Sequence, residues 1–207
     1  LAHRIHDGDV FVRSGKYRGW GPELLLGWDV IGKTLGIVGA GAIGQGVARR
    51  LHDGFGIKIL YTDVKRNPGI EKATGAKFRR LDDLLRQSDI VSLHIPLLPT
   101  TKHLIGAHQL LRMKKTAVFI NTSRGPIIDE TALIDALRTS AISGAGLDVY
   151  EHEPNIPRVL RSLPNVVLTP HTASATKETR DAMSTTAATN ILAFLAGVLA
   201  ESDRELL

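Results

Sequence analysis

From Thr34 onward the chain alternates short apolar runs with stretches whose apolar residues return at helical spacing. The runs predict strands at Thr34–Gly39, Lys58–Thr62, Ile90–His94, Ala117–Asn121, Gly144–Val149 and Val166–Thr169. The spacing between them predicts helices over Ile43–Asp53, Ile70–Thr74, Leu81–Gln87, His108–Met113 and Glu130–Arg138. Near-continuous apolar strands, each followed by a helix, belong to a parallel sheet covered on both faces. Asp129 stands where it can cap the last of these helices, with Leu133, Ile134 and Leu137 behind it.

Two segments fall outside the alternation. Leu1–Gly15 reads as a helix, and Lys16–Ile31 as a loop rich in Gly, Trp and Leu. Leu24, Leu25 and Leu26 beside Trp20 and Trp28 are too apolar for a free loop, and should pack on this chain's sheet or on another subunit. At the other end Thr176–Leu199 predicts one long helix and no further strand. The expected organisation is therefore a cofactor domain over 1–174, with an arm at 10–31, and a C-terminal helix over 175–207.

The stretch TLGIVGAGAIGQGVARRL puts G-x-G-x-x-G between an apolar strand and an amphipathic helix. Gly39 permits the tight turn, Gly41 lets backbone approach a pyrophosphate, and Gly44 allows close helix–strand packing. Ala42 and Ile43 open the helix, whose N-terminus faces the negative charge. Such a motif alone is often an ordinary glycine turn. Here the next strand ends at Asp63, 19 residues beyond Gly44, where an acid can accept from the adenosine ribose hydroxyls. The fold expected is a Rossmann-type α/β domain with a doubly wound parallel sheet, binding NAD(H). Asp63 would repel a 2′-phosphate and disfavour NADP(H), while Lys65 and Arg66 soften that preference.

Composition narrows the alternatives. Zero cysteines exclude disulfides, thiolate metal sites and a cysteine nucleophile, and leave a reducing cytoplasm as the default location. A net charge of +5 raises the question of nucleic acid, but the cations are dispersed and aromatics make up only 5% of residues. A stacking surface is not expected. The apolar stretch Ile191–Ala200 is about half a bilayer crossing, so no membrane span is expected, and no signal peptide is visible. The chain begins at Leu1 rather than Met, as a piece of something longer would.

Three segments lie at expected C-terminal strand ends, where open parallel sheets place their ligand crevice: INTSRGPIIDE, GAGLDVYEHEP and VVLTPHTASAT. They offer a cation (Arg124), acids (Asp148, Glu151, Glu153) and an imidazole (His171). Beside a nicotinamide such a set suits carbonyl reduction, one group gripping an anion and another moving a proton. Taken singly, Arg124 reads equally as a surface arginine, Glu153 as a loop acid and His171 as a turn residue. Their joint order favours catalysis. Glu151 and His152 read as bystanders, and no ligand cluster at metal-binding spacing accompanies them. Asn121-Thr122-Ser123 matches a glycosylation acceptor by chance.

With these motifs, and with SLHIPLLPTTKHLI, the chain resembles the D-isomer-specific 2-hydroxyacid dehydrogenases over nearly all its length, and among them most the glyoxylate/hydroxypyruvate reductases. The resemblance implies that Arg124 grips the substrate carboxylate and that His171 is the general acid–base, hydrogen-bonded by Glu153. It further implies that Asp148 meets the nicotinamide carboxamide, that Pro96 and Thr122 line the cofactor cleft, and that a small 2-oxo acid is reduced to its D-2-hydroxy acid. An arm around Trp20–Trp28 would wrap a partner in a homodimer.

The chain departs from the family by opening at the helix that follows an N-terminal substrate-domain segment. Without that segment the expectation is cofactor binding with little or no turnover. Two rivals stand: an NADH-sensing corepressor, and a phosphite dehydrogenase with the same Arg–Glu–His set. A formate dehydrogenase is disfavoured, because those enzymes generally carry Gln where Glu153 stands.

Overall fold

The protein is described from a computed structural model covering residues 1–196. It divides into two compact units, Leu1–Pro170 and His171–Leu207.

The first unit is built on seven parallel strands: β1 Thr34–Val38, β2 Lys58–Thr62, β3 Lys77–Phe78, β4 Ile90–Leu93, β5 Val118–Asn121, β6 Gly144–Leu147 and β7 Val166–Leu168. Their order across the sheet is β3-β2-β1-β4-β5-β6-β7. The order reverses between β1 and β4, the place where doubly wound sheets open a ligand crevice. The helices are α1 Ile5–Arg13, α2 Ala42–Phe55, α3 Pro68–Thr74, α4 Leu81–Gln87, α5 Ala107–Arg112, α6 Glu130–Arg138 and α7 Arg158–Ser162.

Alternation along the strands sorts the core into two layers. Leu35, Ile37, Ile59 and Tyr61 point to one face, packing with Ala48 of α2 and Ile70 of α3. Val38, Leu60, Val91, Leu93, Phe119 and Leu147 belong to the other layer, with Leu84 and Leu85 of α4, Leu110 of α5 and Leu133 of α6. Period-2 alternation between two helix layers makes a one-residue register slip costly, because it would turn each buried side chain to the wrong layer. Asp129 caps α6, its Oδ1 accepting from Ala132 N at 3.0 Å. Asn67 caps α3 and Pro68 occupies its first turn.

Three expectations are corrected. A seventh strand, β3, joins the six read from the pattern: its two residues are too few to show a period, and Phe78 is fixed by an edge-on contact with Tyr61 at 5.5 Å between ring centroids. Helix α7 spans only five residues and buries Leu160, again too little pattern to read. The N-terminal helix is shorter than Leu1–Gly15, because Arg4 is left-handed and the Ala2 carbonyl accepts from Trp28 N at 3.0 Å. In the loop after it, of the two expected partners this chain's sheet does not cover Trp20, 84% exposed, or Leu26, 65% exposed.

The second unit holds α8, Lys177–Leu195, with the Thr176 hydroxyl accepting from Thr179 N at 3.2 Å. The expected end of this helix at Leu199 and the close of the apolar stretch at Ala200 lie outside the described residues.

Candidate functional site

The turn from β1 into α2 is built almost wholly of backbone. Gly39 N donates to Thr62 O at 2.9 Å, and Gly39 takes a φ of 96°, open to glycine and strained for other residues. A Cβ at Gly44 would stand 2.0 Å from the Gly39 carbonyl, so α2 meets the turn only because that atom is absent. At Gly41 a Cβ would meet nothing within 4 Å, so open space lies on that side of the turn. Helix α2 starts at Ala42 with no side-chain cap, leaving first-turn N–H groups, Ile43 among them, for an anion. A cradle filled from below and open above, at the head of an uncapped helix, fits a dinucleotide pyrophosphate.

Asp63, at the end of β2, accepts from Ala40 N at 2.7 Å and from Val64 N at 2.7 Å. The same residue is held at its carbonyl, since Asn67 Nδ2 donates to Ala40 O at 2.7 Å. Each Asp63 oxygen keeps a lone pair for a ribose hydroxyl. Behind this point the buried Tyr61 donates its hydroxyl to Glu71 Oε1 at 2.5 Å and accepts from Asn67 N at 2.9 Å. Arg66 grips Glu71 through two bonds, Nε to Oε1 at 3.1 Å and Nη2 to Oε2 at 3.0 Å. Hydrogen bonds from Arg66, then Tyr61, hold the Glu71 carboxyl below the usual carboxylate range.

Across the switch point His94 follows β4, and its N–H donates to Val38 O at 2.7 Å. Its ring lies 2.9 Å from Ser92 Oγ through Nε2. Burial pushes the imidazole down to about 4, so it is neutral at neutral pH. Pro96 and Thr122 are exposed at the ends of β4 and β5, and the Pro96 carbonyl accepts from Thr101 Oγ1 at 2.7 Å.

Arg124 sits on a turn made by its neighbours. Asn121 is fully buried, its Oδ1 accepting from Ser123 N at 2.9 Å and its Nδ2 donating to Arg124 O at 3.0 Å. That burial makes it a structural residue. Ser123 Oγ ties the turn to Leu93 O at 2.6 Å. The Arg124 side chain is exposed and donates Nη1 to Ser123 O at 2.7 Å. A Cβ at Gly125 would stand 1.8 Å from the Tyr150 carbonyl, so the S-R-G turn packs flat on the peptide that opens the Glu153 loop.

Glu153 is exposed and its Oε1 accepts from Tyr150 N at 3.0 Å. Asp148 is buried, 3% exposed, its N–H donating to Asn121 O at 3.0 Å and its carboxylate accepting from the Thr169 hydroxyl. Glu151 joins three loops. It meets His103 Nε2 at 2.6 Å and accepts from Glu130 N at 3.0 Å, while its own N–H donates to the Glu130 carboxylate at 3.3 Å. Burial pushes the Glu151 carboxyl up, but the Glu130 backbone and His103 outweigh it and leave it low. His152 is exposed.

The first unit therefore gathers Gly39, Gly41, Ala42, Ile43 and Gly44 at one turn, with Asp63 bonded to it from the end of β2, and Arg124, Asp148 and Glu153 on loops after β5 and β6. His171 opens the second unit in a left-handed conformation, φ 56°, rare for a residue with a side chain. The residues the motifs left unread are Asn67, His94 and His103. Only Asn67 had a local signal, a capping residue followed by Pro. Among the described residues no cluster of His, Asp or Glu could hold a metal, and no helix is long and apolar enough to cross a membrane.

Residues 1–173 match the family of the D-isomer specific 2-hydroxyacid dehydrogenase, NAD binding domain. A glyoxylate reductase of Korarchaeum cryptofilum is 51% identical over 198 residues, covering 95% of this chain and 59% of that protein. Among solved structures, a Thermus thermophilus protein superimposes with a TM-score of 0.88 at 44% identity, over 95% of this chain and 61% of its own. The NAD-complexed D-isomer specific 2-hydroxyacid dehydrogenase of Lactobacillus delbrueckii gives 0.82 at 34% identity, over 97% of this chain and 64% of its own. The chain thus spans about 60% of the length of the curated relatives it matches.

Proposed function

The chain belongs to the D-isomer specific 2-hydroxyacid dehydrogenases and carries their NAD-binding domain, and from that premise we propose that the whole protein reduces a small 2-oxo acid of the glyoxylate or hydroxypyruvate type to its D-2-hydroxy acid. The observation that carries this reading is the joint order of Arg124, Glu153 and His171 along a chain that also carries a dinucleotide cradle. Bound NADH supplies the hydride.

In this reading the Arg124 guanidinium grips the substrate carboxylate through two parallel hydrogen bonds and polarises the neighbouring carbonyl. The buried turn through Asn121, Ser123 and Gly125 supports that role, since it fixes the backbone while the side chain stays exposed. His171 gives its proton to the carbonyl oxygen, and Glu153 stabilises the imidazolium before the transfer. The left-handed backbone at His171 costs about 1–2 kcal/mol, the kind of strain retained at functional positions. Asp148 orients the nicotinamide carboxamide, and Pro96 and Thr122 line the cleft. We also propose a homodimer, in which a partner covers Trp20, Leu24 and Leu26. A monomer by light scattering at micromolar concentration would count against it.

The test is NADH oxidation with glyoxylate and with hydroxypyruvate, by this chain and by the chain joined to the additional segment its relatives carry. Turnover by the longer form, lost on Arg124→Ala or His171→Ala, is expected, with little from the shorter one. A longer form that binds NADH and accepts neither acid would overturn the substrate assignment.

A further inference from the structure

A 2′-phosphate on the adenosine ribose calls for a cation beside the ribose-binding acid. The β2–α3 connection carries such a cation in Arg66, three residues past Asp63 and next to Asn67, whose side chain rests on the Ala40 carbonyl. Its guanidinium is turned instead onto Glu71 through two bonds. Glu71 is not a drifting surface acid, because the buried Tyr61 hydroxyl fixes its Oε1 at 2.5 Å. The same hydroxyl takes Asn67 N, so one phenol sets both the cap of α3 and the acid that holds Arg66. Arg66 is itself 68% exposed, so it is tethered by its partner and not walled in by packing.

We propose that Glu71 is a cofactor-selectivity residue. By holding Arg66 away it denies a 2′-phosphate its cation, and so adds to the discrimination begun by the Asp63 carboxylate. The proposal deepens the NAD(H) reading and rests on it. Lys65, the other cation of the connection, forms no ion pair among the described residues and is unchanged in the comparison below.

The experiment titrates the 207-residue chain with NADH and with NADPH by calorimetry, as wild type, Glu71→Gln, Arg66→Gln and the double variant. Glu71→Gln should raise NADPH affinity about fivefold, the worth of an exposed ion pair, and leave NADH within about twofold. Arg66→Gln alone should change the NADPH-to-NADH ratio little, and in the double variant the gain should vanish. Gln keeps an acceptor for the Tyr61 hydroxyl. Glu71→Asp, one methylene short of Arg66 with its charge intact, should move the ratio the same way and guards against a folding defect in the first variant. A ratio unmoved in both Glu71 variants would overturn the proposal. So would a gain that survives without Arg66, since loss of negative charge would then explain it. Absence of NADH binding to the wild type would overturn the cofactor reading instead.

Discussion

The two ends of the candidate site are made of different material. Around Gly39–Gly44 the binding surface is backbone, set by missing Cβ atoms and by a helix start without a side-chain cap. Around Arg124 and Glu153 it is side chains, both exposed, standing on a backbone clamped by Asn121, Ser123, Gly125 and Glu151. A cradle of backbone is preorganised by the fold that carries it. Exposed charged side chains have their positions supplied but their surroundings still open to water, which weakens each interaction they make. The lesson is that one fold can set one surface by backbone alone and another by exposed side chains on a clamped backbone.

The comparison breaks first at the cradle. Gly44→Ala should cost about 3 kcal/mol, because its Cβ collides with the Gly39 carbonyl and neither backbone can yield cheaply. A lowered melting temperature and roughly a hundredfold weaker NADH binding are expected; an unchanged titration would mean the turn is not rigid.

Acid sharpens it next. The folded-state pKa of His94, about 4, lies below its unfolded value near 6.5, so its stabilisation is complete above pH 6.5 and is lost as pH falls toward 4. Each pH unit in that window should cost at most about 1.4 kcal/mol. Melts of His94→Asn should show a shallower acid slope than wild type; equal slopes would remove His94 as the cause.

Asp63→Asn should weaken NADH about tenfold and narrow the gap to NADPH, since the Ala40 contact and the ribose lose a charged acceptor. An unchanged gap would leave Asp63 as a turn residue only. The smallest stability effect belongs to the loops around Glu151: His103→Gln should cost about 0.5–1 kcal/mol by melt, as its imidazole is half-exposed against Glu151. A larger loss would show that this pair holds up more than its own loops.

Much of the fold was legible because strands buried on both sides announce themselves as apolar runs, and because G-x-G-x-x-G followed by Asp63 fixes strand, turn and helix together. β3 and α7 were not, since two and five residues carry no period. The cradle was legible for a related reason: glycine writes backbone geometry directly into sequence. The structural contacts of Glu151 were not legible, because its partners His103 and Glu130 are distant in sequence and only the folded loops join them. His94 was passed over because the depth at which a strand end lies is set by its neighbours, Ser92 and the Gly39 turn.

The most direct test of a cofactor cradle set by backbone, independent of the exposed side chains, is calorimetric titration of NADH into this chain and into its Arg124→Lys variant, with a thermal melt of each. Both proteins should melt cooperatively and bind NADH with affinities within about twofold, as the cradle owes nothing to the guanidinium. Cooperative melting without NADH binding, or binding that collapses with Arg124→Lys, would contradict it.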